Sequence, residues 1–302
     1  MTKILAAIDN SAAARPVLAM AVALADLLAV DVEALHIRED GDRNARAAAT
    51  AAGVRLRSAT KPVIRALAEA GRSPQVVAVV LGARGVETGR RPAGHVALEL
   101  ALSLSKPLVV VPPSASVPIE LHRILVPLNG GRRTTAVALA ETLMLASRQE
   151  LELVVLHVHD QTSIPLFSDQ RHHEVESWAQ EFLRRHCSYP ERVQLEVRIG
   201  IPGENVLKVA AETSADLIAL GWSQDLSPGH AAVVREVLER SGIPVLLVPI
   251  AVEVGIGDEP TGSAAGGNRP STPVVPVPAN TGIDEGPTSL REALTAGGDR
   301  RR

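Results

Sequence analysis

Aromatic side chains are almost missing from this sequence: two Trp, two Phe and one Tyr stand among 302 residues. Without them there is no row of π faces on which single-stranded nucleic acid could stack. A formal net charge of −3 adds no electrostatic pull toward phosphate backbones, so nucleic-acid binding is not expected. Cysteine occurs once, as Cys187, which excludes an internal disulfide and any CxxC or Cys/His zinc spacing. A reducing, cytoplasmic setting and an inert thiol are expected. Long apolar runs are also missing. The stretch from Val17 to Val30 is interrupted by Asp26, is too short for a bilayer, and follows Asp9 and Arg15 rather than a basic leader. Neither a membrane span nor an export signal is expected. The sequence contains no GxxxxGK[ST] and no GxSxG, so no dedicated catalytic machinery is recognisable.

What is present is aliphatic: hydrophobic residues make up 46% of the chain, mostly Ala, Val and Leu, so its cores must pack without large rings. The length suits two ordinary domains plus a tail, and internal similarity points the same way. ILAAIDNS (Ile4 to Ser11) returns as ILVPLNGG (Ile124 to Gly131). ALHIRED (Ala34 to Asp40) returns as VLHVHDQ (Val155 to Gln161), and VVLGARG (Val79 to Gly85) as IALGWSQ (Ile218 to Gln224). The last pair is the segment from Gly94 to Pro113 against that from Gly229 to Ile250. Order is kept, and the offset is 120 and 121 residues for the first two pairs and 139 and 135 for the last two.

Within each copy, short β-branched runs alternate with helical periodicity, the pattern of a parallel sheet with crossover helices. Runs such as VVAVVL lack polar alternation, as strands covered on both faces do. In copy one the pattern predicts strands at 3–8, 31–37, 54–58, 76–82 and 107–111, with helices near 13–29, 44–52, 62–71 and 94–105. In copy two it predicts strands at 123–128, 151–158, 192–199, 216–221 and 244–248, with helices near 133–148, 172–186, 203–213 and 229–241. The helix at 44–52 is stunted beside its counterpart in copy two. The expected architecture is α/β, two doubly wound five-stranded parallel sheets of order 3-2-1-4-5, with domains at 1–113 and 121–250 around a short joint, PPSASVP (Pro112 to Pro118). From 251 to 302 the chain is too rich in Gly, Pro, Ser and Thr to bury a core, and a disordered tail is expected. Within it, Ser289 and Glu292 could cap a transient helix, SLREALTA.

In a doubly wound sheet, ligands enter beyond the carboxyl ends of the strands where the winding reverses, here strands 1 and 4. Strand 1 ends at Asp9, whose carboxylate can accept hydrogen bonds from an adenine amino group or a ribose hydroxyl. Strand 4 ends in Gly82-Ala83-Arg84-Gly85, and Gly94-His95 opens a helix whose unpaired N–H groups suit a phosphate.

A strand followed by an acid and Ser, then G-x-x-G, a spacer and a second Gly at a helix start, resembles the universal stress protein pattern. The sequence looks like a tandem member over roughly residues 3–250. The resemblance implies an adenine-nucleotide alpha-hydrolase-like fold and a non-enzymatic stress-response role. It also implies a site for ATP, with magnesium accompanying the phosphates. Carried across, the contacts are Asp9 and Ile37 at the adenosine end and Gly82, Gly85, Gly94, His95 and Val96 at the phosphates, with Arg84 placed to neutralise charge. Family domains pair through their last strands, so 107–111 is expected to join 244–248 within the chain, the alternative being a pair of chains.

The two copies are not equivalent. In copy one the spacer from Gly85 to Gly94 holds eight residues rather than nine, and His95 stands where the family has Ser or Thr. In copy two Asn129 replaces the acid, Gln224 the second Gly, and four residues separate Gln224 from Gly229. No family-type ATP site is expected there. Plainer readings compete throughout. Gly82 and Gly85 could simply make a turn, Asp9 could cap the first helix with Asn10 and Ser11, and Arg90 and Arg91 suit solvation. The excess of His157, His159, His172, His173 and His186 lacks ligand spacing, and no metal is expected; His157 matches His36, which suggests a role in the fold. Slow nucleotide hydrolysis through His95 is a minor alternative. A structural or interaction module with no nucleotide is the principal one.

Overall fold

The computed structural model describes residues 1–37, 41–60, 62–83, 93–128, 151–159, 193–227 and 231–249. In the first half, β1 (Lys3–Ile8), α1 (Ala14–Leu28), β2 (Asp31–Ile37), α2 (Arg43–Ala51), β3 (Arg55–Ala59), α3 (Val63–Gly71), β4 (Val76–Gly82), α4 (His95–Ser103) and β5 (Leu108–Val111) follow in turn. The second half contributes β6 (Arg123–Leu128), β7 (Glu152–His159), β8 (Val193–Ile199), α5 (Pro202–Glu212), β9 (Leu217–Trp222), α6 (Ala232–Arg240) and β10 (Val245–Pro249). Strand boundaries fall within one residue of those expected from hydrophobic pattern. The helices expected near 133–148 and 172–186, and the tail from 251 with its SLREALTA segment, lie outside the described residues.

One expectation needs correcting. The strands do not form two five-stranded sheets but a single ten-stranded sheet of order β3-β2-β1-β4-β5-β10-β9-β6-β7-β8. Each half keeps its parallel 3-2-1-4-5 order, and the seam is the antiparallel pair β5–β10, with Val245 opposite Val110, Leu246 opposite Val109 and Leu247 opposite Leu108. The physical reason is edge satisfaction. Separate sheets would leave the outer N–H and C=O groups of LVVV and VLLVP, two apolar strands, open to water or to other chains.

The core lies on both faces of this sheet. On one face Ile4, Ala6 and Ile8 of β1 and Ala78 and Val80 of β4 pack against α1 and α2. On the other, Leu5, Val79 and Leu81 pack against α3 and α4, while Ile218, Leu220 and Leu247 meet α5 and α6. Alternation along the strands produces this division, since successive side chains point to opposite faces. Helix α1 is apolar almost all round, with ten of its fifteen residues buried, because it is covered twice: the sheet lies beneath it, and Ala115 and Val117 of the joint pack against the same cluster. At the outer edge, Glu33 of β2 binds Lys3 of β1 at 2.7 Å and Arg57 of β3 at 3.0 Å, so charge rather than apolar burial finishes this end of the first half. No described helix is long and apolar enough to cross a membrane.

Candidate functional site

The parallel strands of the first half bring their carboxyl ends to one side, where β1 and β4 separate the two winding directions. A cavity of about 200 Å³ opens there. Asp9, Ile37, Gly82 and Val96, distant in sequence, all line it. They come from the ends of β1, β2 and β4 and from the second position of α4. Sequence reasoning missed the rest of the wall: Ala7, Ile8, Ala13, Ala14, Val17, Leu35, Val63, Leu67 and Leu81 make the cavity chiefly apolar. The signal for them was indirect. Ala7 alternates with the buried Ala6 and Ile8 on β1, Leu81 belongs to the continuous buried run of β4, and Ala14 and Val17 lie in the first turn of α1, directly after Ala13.

Asp9 is exposed, and its Oδ1 accepts hydrogen bonds from the Ser11 N–H at 2.9 Å and the Ser11 hydroxyl at 2.6 Å. The hydroxyl oxygen in turn accepts the Ala13 N–H at 3.2 Å. Asp9 does not cap α1 directly: Ala13 is the N-cap and the helix has no side-chain cap bond, so Asp9 and Ser11 brace the turn that leads into it. Asp9 Oδ2 has no hydrogen bond among the described residues.

At the other side of the cavity, the Gly94 N–H donates to the Ala83 carbonyl at 2.6 Å, pinning together residues on either side of 84–93. Gly94 is extended (φ −63°, ψ 157°) and precedes α4 without a side-chain cap, so the first amides of that helix lack intrahelical partners. Val96 lines the cavity; Gly94 and the exposed His95 do not. Arg84, Gly85, Arg90 and Arg91 lie outside the described residues.

His36 is the one buried polar side chain among the described residues, 4% exposed. Its Nδ1 lies 3.1 Å from the Ile8 carbonyl and its Nε2 2.9 Å from that of Gly41, which accounts for the histidine at this strand position as a tie between strand ends. The His157 ring, its counterpart, meets His159 edge-on at 4.6 Å between centroids. No group of three or more metal-ligating side chains occurs among the described residues. His172, His173, His186 and Cys187 are outside them.

The corresponding loop of the second half is built differently. Gln224, at the position of Gly85 in the repeat, has a left-handed backbone (φ 57°) and donates its side-chain amide to the carbonyls of Ala101 and Leu104 at the end of α4, both at 2.8 Å. The residue that departs from the glycine pattern therefore fastens the second half to a helix of the first.

With this geometry in hand, comparison with known proteins is informative. The sequence model of the universal stress protein family matches residues 120–249. The second half is the universal stress protein match. No match extends that model to the first half. A search of curated proteins found no match. Among solved structures, a universal stress protein from Archaeoglobus fulgidus DSM 4304 superposes with a TM-score of 0.55 at 15% identity, covering 82% of this chain and 98% of that one. A protein described as a universal stress protein from Pseudomonas aeruginosa UCBPP-PA14 gives 0.60 at 14%, covering 82% and 93%. A functionally unknown protein from Pseudomonas aeruginosa PAO1 gives 0.60 at 12%, covering 82% and 92%. That coverage exceeds residues 120–249, so the universal stress protein fold likeness includes the first half; at such identities it speaks for the fold alone.

Proposed function

We propose that the chain is a tandem universal stress protein-type protein, with domains at 1–113 and 121–250, whose first domain binds an adenine nucleotide, ATP in the first instance. The reading is carried by one observation: Asp9, Ile37, Gly82 and Val96 converge on a single cavity at the winding reversal of the sheet. The apolar wall suits the face of a purine. Asp9 supplies the acceptor for an amino or hydroxyl group, and Gly82 lets backbone approach the ligand. Arg84, Gly85, Gly94 and His95 would serve the phosphates, together with the first amides of α4.

The described walls enclose about 200 Å³, less than the ~300–1,000 Å³ usual for small-molecule sites, which fits a cavity holding the adenosine end with its phosphates running toward 84–92. Asp9 is the only carboxylate among the described lining residues, so magnesium would be carried by the phosphates rather than by a protein cage. The reading assigns no chemical step and a cytoplasmic stress-response role.

The second reading, an interaction module without nucleotide, is favoured by the bonds that already engage Asp9 Oδ1. Calorimetry separates the two. ATP and adenosine should bind the full chain, with Asp9→Ala weakening both at least tenfold and leaving Tm nearly unchanged. Silence of the wild-type chain at millimolar ATP would reject the nucleotide reading in favour of the module. Phosphate release abolished by His95→Ala would instead establish slow hydrolysis.

A further inference from the structure

The turn that carries Asp9 is held from outside its own strand and helix. Asn10, half-buried, donates its side-chain amide to the Gly41 carbonyl at 2.9 Å and accepts the Ala45 N–H on Oδ1 at 3.0 Å. Its own carbonyl accepts the Asn44 amide at 3.1 Å. Ala45 sits in the first turn of α2, and Asp42, the N-cap of that helix, makes no side-chain cap bond; Asn10 caps α2 from across the fold. Gly41, with φ +100°, turns its carbonyl toward both Asn10 and His36, and His36 reaches the Ile8 carbonyl on its other side. Residues 8 to 11 are thereby each fastened, and Ser11 occupies Oδ1 of Asp9. One carboxylate oxygen, Oδ2, is left for a ligand.

We infer that Asn10 is a positioning residue for the crevice: by tying the Asp9 turn to the start of α2, it fixes where Asp9 presents its remaining oxygen. This rests on the adenine-nucleotide reading. A glycine at position 10 could make none of the side-chain bonds, so Asn10 holds this turn more firmly than a residue without a side chain would. A fixed acceptor costs less ordering on binding than a mobile one. The effect belongs to the adenosine end, because the partners of Asn10 are Gly41, Asn44 and Ala45, beside the turn that carries Asp9.

The test is calorimetry on the full chain with ATP and with adenosine, using Asn10→Ala, Asn10→Asp, Asp9→Ala and the double variant, with Tm recorded for each. Asn10→Ala should weaken ATP and adenosine by the same factor, about tenfold, leaving their ratio unchanged. Asn10→Asp keeps the acceptor for Ala45 and should recover part of the loss. Asp9→Ala should cost much less in the Asn10→Ala background than in the wild type, a coupling that loosened structure alone would not produce. Wild-type binding that survives Asn10→Ala unchanged, or losses that simply add, overturns the role of Asn10 and leaves the nucleotide reading standing. A wild-type chain that binds neither ligand overturns both. Should Asn10→Ala fail to fold, the ratio and coupling measured with Asn10→Asp decide in the same way.

Discussion

Gln224 donates its side-chain amide to the Leu104 carbonyl at 2.8 Å, joining the loop after β9 to the last turn of α4 across 120 residues of sequence. The same nitrogen serves Ala101, so two otherwise open carbonyls at a helix end are satisfied by the other half of the molecule. This relationship sets two opposing terms against each other. Left-handed backbone costs a non-glycine residue about 1–2 kcal/mol, while each hydrogen bond returns about 1 kcal/mol. Gln224→Ala keeps the strain and loses the bonds, so it should destabilise by about 1–2 kcal/mol. Gln224→Gly loses both and should lie within about 1 kcal/mol of the wild type. Urea unfolding of the two variants decides the matter, and a Gly variant less stable than the Ala variant would contradict the account.

The seam between β5 and β10 predicts the behaviour of the separated halves. A chain ending after residue 113 exposes the edge of LVVV, whose residues are all buried in the whole protein. Light scattering after gel filtration should show it as dimers or larger species, and coexpression with 121–249 should return a one-to-one complex. A monomeric, soluble 1–113 fragment would mean that the edge is not what holds the halves together.

Helix α1 ends on Ala29 in the left-handed conformation (φ 53°, ψ 45°), with the Val30 N–H bonded back to the Ala25 carbonyl at 3.0 Å. Glycine is the residue suited to that geometry, and Ala29 is exposed. Ala29→Gly is expected to stabilise by about 0.5 kcal/mol, the relief of strain exceeding the added entropy of the unfolded chain. Thermal denaturation should register an increase of about 1–2 °C.

Lys106 donates to the carbonyls of Ser73 and, at 2.6 Å, Val76, and burial lowers its pKa from the ordinary lysine value. The unfolded chain therefore holds this proton more tightly than the folded one. Stability should rise with pH across the interval between the lowered folded value and the ordinary lysine value. In Lys106→Met that increment should be missing, while stability at neutral pH drops by about 1–2 kcal/mol for the lost donors. Denaturant titrations of both proteins at a series of alkaline pH values check the sign; an identical pH dependence would remove Lys106 from the explanation.

Much of the fold was legible in the residues because strands and helices announce themselves locally. VVAVVL has the unbroken apolar run expected of a strand covered on both faces, and the observed β4 is buried through all but its last residue. Of the candidate site, Asp9, Ile37 and Gly82 could be read as strand ends, since hydrophobic runs stop there and parallel order brings those ends together. The apolar wall supplied by Ala13, Ala14, Val17, Val63 and Leu67 could not, because apolar helix residues look alike whether they face a core or a cavity. Gln224 read as a damaged glycine, and Asn10 as a local cap at most. Their actual partners, Ala101, Leu104, Gly41 and Ala45, are far away in sequence.

By itself, then, the sequence determined the alternation of elements, which follows from periodicities written in a few adjacent residues, and the repetition of one plan, which shows in matched blocks recurring in the same order; the 3-2-1-4-5 winding was the expectation attached to that plan. Only the tertiary structure decided the register of the β5–β10 seam, that the second half grips α4 through Gln224, and that Asn10 caps a helix it does not belong to. Those outcomes depend on which open edges and unpaired backbone groups meet in space, and hydrogen bonds between residues tens to well over a hundred positions apart leave no period in the chain.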